Sequence, residues 1–137
     1  MKPSSITTTI GGARSFWMQS DRVELFVTEA GGHMAPVKFK LKHRWVSPYS
    51  LPPWKADEVG VEIPASLRIL RGDSFCLPFG KSRRGAIAHG EPANCQWYLR
   101  ESSVRRLLLH QTPQQPPCSV EKLIGLHPGH RAVYQEH

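Results

Sequence analysis

The residues best suited to chemistry fall within one span, Arg68 to Trp97, which reads RILRGDSFCLPFGKSRRGAIAHGEPANCQW. Its most suggestive part is His89-Gly90-Glu91. An imidazole can both donate to and accept from a hydroxyl. Gly90 lets the backbone come close to a ligand. Asn94 and Trp97 follow at short range, an amide for hydroxyls and an indole for the apolar face of a ring. Lys81, Arg83 and Arg84 flank Ser82 in a basic loop. A guanidinium there can span two adjacent hydroxyls or a phosphate, because its donors form a planar fork. The same cluster reads equally well as solvated charge, and a lone imidazole as a structural hydrogen-bonding group. Taken together, Arg83, Arg84, His89, Glu91, Asn94 and Trp97 are expected to bind a sugar at one rim of a cleft. None of them is assigned a catalytic role.

Other chemistries have less support. His89 and Glu91 alternate as ligands on a strand face would, but no second histidine lies two residues from His89, so no metal site is expected. No serine-nucleophile motif is present, and no cofactor is expected. The three cysteines, Cys76, Cys95 and Cys118, lack CxxC spacing, which argues against a disulfide framework and a zinc ribbon. Cys76, between Phe75 and Leu77, reads as a small buried apolar group.

The formal charge of +7 favours anionic partners in principle. The basic residues are scattered, however, and lack the interleaved aromatics of a stacking platform, so a basic nucleic-acid-binding β-domain ranks last. The N-terminus lacks the apolar stretch of a signal peptide. No window approaches the about 18 apolar residues of a membrane span, so a cytoplasmic protein without a membrane partner is expected.

The elements that must position these residues read as strands. The 12 prolines and 11 glycines interrupt any long helix. Residues 1–22 are expected to be a flexible lead-in with a first short strand at Ser15 to Met18. Val23 to Thr28 alternates apolar and other residues, as does Val37 to Leu41 with its lysines, and Gly31-Gly32 between them reads as a hairpin turn. Val46 to Pro64 is irregular because its prolines forbid a ladder. Trp54 to Glu58 suits one helical turn, and Trp45, Tyr49 and Trp54 suit caps on the core. Leu67 to Leu70 reads as a short strand. Tyr98 to Leu109 reads as strand, with a short helix left open. His110 to Pro117 reads as a polar loop. Val120 to Leu126 and Ala132 to Tyr134 flank a turn at His127-Pro128-Gly129-His130. The predicted class is all-β, an antiparallel β-sandwich over residues 23–137.

LRGDSFCLPFG, followed by HGEPANCQW and VEKLIGLHPGHRAVYQEH, resembles the galactose mutarotase-like (aldose 1-epimerase) superfamily, as does the opening VELFVTEAGGHMAPVKF. The resemblance covers roughly Val23 to His137. It implies a partial β-supersandwich, a sugar or sugar-phosphate ligand, and anomer interconversion by acid–base catalysis without a cofactor. The family's sugar-binding His maps to His89, and its hydroxyl-contacting Arg to Arg84 or Arg83. Family domains are about twice this length and carry their general acid and base in the later half. The expectation is therefore the N-terminal part of such a domain, inactive by itself because both groups must face one substrate. A non-catalytic carbohydrate-binding module is the alternative. A half sandwich also leaves strand edges open to self-association.

Overall fold

The computed structural model of the chain describes residues 6–81 and 85–137. It is nearly all-β, with two antiparallel sheets. The first sheet takes β1 (Thr7–Ile10), β2 (Ala13–Gln19), β3 (Val23–Thr28), β4 (Met34–Leu41) and β5 (Arg44–Val46) in chain order. The second takes β6 (Tyr98–Ser103), β7 (Arg106–Gln111), β8 (Val120–Gly125) and β9 (Tyr134–Glu136). The long segment between the sheets carries only the short helix α1 (Ala65–Arg68) and a 3-10 turn at Glu91–Ala93.

Period-2 patterning places the core. In β2, β3 and β4 the register sets Met18 beside Leu25 and Leu25 beside Val37, and all three are fully buried. In the second sheet Leu107 faces Ile124 and Leu109 faces Lys122, while Glu121 points to solvent. Buried side chains of both sheets form one cluster, closed by Trp97. Trp97 arrives there because Gln96 bridges Ala30 and the Trp97 N–H donates to the Glu29 carbonyl at 2.8 Å. Tyr49, Phe75 and Leu77 pack against this core from the intervening segment.

Several sequence expectations change. Residues 54–58 form a turn and not a helix, and Trp54 is not among the residues packed on the core. His110 and Gln111 belong to β7 and not to a loop. Residues 7–10 are no frayed lead-in: the β-branched run Thr-Thr-Thr-Ile pairs with β2. Gly11 and Gly12, at φ 57° and 71°, supply the two left-handed positions that a two-residue hairpin requires. Leu67 to Leu70 is not a strand. Pro64 opens a helical turn at Ala65–Arg68, and the Leu67 and Arg68 N–H groups both donate to its carbonyl. Four apolar-rich residues do not fix a period, so the capping geometry decided. Finally, Trp45 is 43% exposed and does not cap the core.

The open alternative at Tyr98 to Leu109 resolves as the β6–β7 hairpin. The turn after Gly125 joins β8 and β9 as an antiparallel pair.

Because Trp97 is wholly buried in the shared core, Trp97→Ala is expected to destabilise the fold by about 3–5 kcal/mol. Urea denaturation measures this; a loss under 1 kcal/mol would mean that the ring is not a core element.

Candidate functional site

The site is built where the intervening segment folds over the β3–β4 turn. Two glycines make that turn, Gly31 at φ 76° and Gly32 at φ 58°. A Cβ on Gly32 would stand 2.8 Å from the Trp97 Nε1, so only glycine lets the indole close over the backbone. His33 follows and is 1% exposed. Its Nε2 lies 2.7 Å from the Ala93 carbonyl, and its Nδ1 accepts the Arg71 N–H at 3.2 Å. A carbonyl cannot donate, so Nε2 carries the proton and the ring is neutral. Burial pushes its pKa below the ordinary imidazole value, and the nearby Lys122 and Arg71 charges add to this against the opposing pull of the Ala93 and Ile69 carbonyls.

Arg71 is itself 3% exposed. Its guanidinium donates to the Ile10 carbonyl at 3.0 Å and the Gly11 carbonyl at 3.1 Å, clasping the β1–β2 turn. Arg71-Gly72-Asp73 is thus a structural turn, with Gly72 at φ 53° beside the Met34 carbonyl.

The His33 ring borders a cleft of about 240 Å³. Its other walls include Ser66, Leu67, Leu70, Ser74, Cys76, Phe79, His89 and Asn94. The His89 backbone is left-handed, φ 67°, and is held there from three directions. Its N–H donates to the Gly80 carbonyl at 2.8 Å, its carbonyl accepts the Leu77 N–H at 3.2 Å, and its Nδ1 accepts the Gly80 N–H at 3.3 Å. An accepting Nδ1 leaves the neutral ring's proton on Nε2, for which no described residue is a partner. The Phe79 ring meets His89 edge-on at 5.2 Å and is 83% exposed. Asn94 gives both amide protons away, to the Ala88 carbonyl at 2.8 Å and the Gly90 carbonyl at 2.7 Å, so only its oxygen is left for a ligand.

The structure therefore brings His89 and Asn94 together and separates the rest of the expected set. Glu91 leaves the cleft. Its Oε1 accepts the Gln114 N–H at 2.7 Å and the Gln115 N–H at 3.0 Å, pinning the loop after β7. Trp97 cannot stack on a ligand: it is fully buried and its Nε1 donates to the Pro92 carbonyl at 2.8 Å. Arg83 and Arg84 lie outside the described residues. Gly90 serves the chain and not a ligand, since a Cβ there would stand 1.9 Å from the Leu77 carbonyl oxygen. Cys76 is half-buried on the cleft wall and not a core group.

Sequence reasoning missed His33, Arg71 and Lys122. Lys122 lies at an inward position of β8 and is completely buried. Its ammonium donates to the Gly32 carbonyl at 2.8 Å and sits 5.8 Å from the Trp97 ring centroid. Burial drags its pKa down to about 8, against the opposing pull of Asp73. The signal was present in the alternation of Val120, Lys122 and Ile124, which puts the lysine on the apolar face.

Chemically, the cleft mixes hydroxyls, an amide oxygen, an imidazole N–H and an exposed aromatic ring. Among the described residues no carboxylate lines it. Among the described residues no three His, Cys, Asp or Glu side chains group to hold a metal ion, and no helix is long and apolar enough to cross a membrane. No protein-family model matches this chain, and no curated protein or solved structure matches it significantly.

Two pH effects follow. The unfolded state keeps a lysine proton up to the ordinary pKa of 10.5, whereas the folded state releases it near 8. Stability should therefore rise with pH between those values, by about 3 kcal/mol for Lys122. Lys122→Met should flatten that rise. Comparing urea midpoints of both proteins from pH 7 to 10 tests it, and parallel curves would refute it; Tyr49, whose pKa burial raises, is common to both. For His33 the sign gives a loss of stability as pH falls below 6.5. Nitrogen NMR at pH 6.5 should show a mostly neutral ring protonated at Nε2, and an imidazolium pattern would contradict the assignment.

Proposed function

We propose that this chain is a carbohydrate-binding domain of the galactose mutarotase-like kind, part of a β-supersandwich, and that it holds an aldose in the cleft beside His89. The observation that carries the reading is the pairing of an imidazole N–H with an exposed aromatic ring across one small polar cleft. Sugars present both hydroxyls and an apolar C–H face, and an aromatic side chain with adjacent polar groups meets both. Phe79 takes the stacking role first given to Trp97. The His89 Nε2–H donates to a hydroxyl or ring oxygen, and the Asn94 oxygen accepts from one. Ser66 and Ser74 add further hydroxyl partners.

Within this chain the proposed activity is binding and not turnover. Opening a pyranose needs a base and an acid against one substrate. The cleft's second imidazole, His33, has both ring nitrogens engaged by the backbone. The chain is accordingly read as the sugar-holding part of an epimerase-like domain.

Titration with glucose and galactose, followed by amide NMR, should shift signals of Phe79, Ala88 and Gly90 in a saturable way. His89→Ala and Phe79→Ala should each weaken binding about tenfold or more, since each removes a polar or stacking contact of 1–2 kcal/mol. Absence of binding to either aldose at millimolar concentration would end the reading. Accelerated exchange between the anomers would show turnover and overturn the binding-only form.

A further inference from the structure

The opposite end of the molecule gathers positive charge around a second hollow. β4 runs eight residues from the His33 end, so at about 3.3 Å per residue its far end lies about 25 Å away. There Leu41, Lys42, His43, Arg44 and Arg131 surround a hollow of about 580 Å³. Lys42 and His43 form the two-residue turn between the paired Leu41 and Arg44. Arg131 comes from the segment between β8 and β9, and its Nε donates to the Lys40 carbonyl at 2.7 Å. That bond uses Nε and leaves the two terminal nitrogens as further donors.

Two observations set this cluster apart from ordinary solvated charge. Lys42 adopts a left-handed backbone, φ 37°, at a turn position where glycine or asparagine costs less. The cations also come from two distant parts of the chain, the β4–β5 hairpin and the β8–β9 connection, so the tertiary structure and not one charge run brings them together. The Asp21 carboxylate, at the same end, is already engaged. Asp21 accepts the Gly129 N–H at 2.8 Å and pairs with Arg22 at 3.2 Å.

We propose that this hollow is a binding site for a phosphate monoester. Arg44 and Arg131 offer forked donors, Lys42 a point charge, and Leu41 an apolar floor for the carbon part of the ligand. The site is independent of the cleft beside His89 and stands or falls separately.

The test uses inorganic phosphate, glucose 6-phosphate and a single-stranded oligonucleotide, each titrated against the whole chain by amide NMR at low and physiological salt. Phosphate and glucose 6-phosphate should both shift the amides of Leu41 to Arg44 and Arg131. Arg44→Ala and Arg131→Ala should each weaken that binding at least fivefold, with unchanged thermal unfolding. His89→Ala should leave it intact. Shifts spread evenly over surface lysines and arginines, or none at this end, would overturn the proposal. So would binding of the oligonucleotide alone with a steep salt dependence, which would mark a polynucleotide surface instead.

Discussion

The structure depends on the contact between the β3–β4 turn, the Trp97 indole and the Lys122 ammonium. The Gly32 carbonyl accepts from the ammonium at 2.8 Å, and the indole packs so close that a Cβ on Gly32 would stand 2.8 Å from its Nε1. This contact joins β3 and β4 to β8 across the core. A charge buried this deeply is unfavourable unless donors and acceptors are satisfied around it. Here one backbone carbonyl and one aromatic face compensate part of the cost, and the depressed pKa records the remainder.

From that contact the rest of the cleft follows. His33 is the next residue, and its ring nitrogens tie the Arg71 and Ala93 backbones to the turn. Arg71 then reaches the β1–β2 turn, and Ala93 begins the approach to Trp97. An otherwise irregular segment is thus held by buried hydrogen bonds together with isolated bridges between Met34 and Asp73 and between Ala30 and Gln96. His89 is positioned one layer further out, by Gly80 and Leu77, and lines the cleft. The polar groups of the span Arg68 to Trp97 therefore divide into those that build the wall and those that face the hollow.

Much of the strand framework was legible because its physics is local. Val23 to Thr28 alternates, Gly31-Gly32 turns, and Val120 to Leu126 alternates again, so β3, the turn and β8 could be read directly. β1 was harder, since a polar threonine run resembles a frayed end until a partner strand pairs with it. The candidate site was legible only in outline. His89 and Asn94 do border one cleft, but Glu91 and Trp97 are sequence neighbours that point elsewhere, Glu91 held by the Gln114 and Gln115 N–H groups and Trp97 drawn inward by the Gln96–Ala30 bridge.

By itself the sequence determined the class of structure: alternation sets a sheet's buried face, and glycine sets where the chain may reverse, and both act over a few residues. It also determined which side chains were capable of chemistry. Only the tertiary structure decided which of them meet. Gln96 pairing with Ala30 sent Trp97 inward, while the loop closure at Gly80 and Leu77 kept His89 at the surface. Those outcomes rest on contacts between residues distant in the chain, and a one-dimensional pattern does not encode which distant carbonyl an N–H will find.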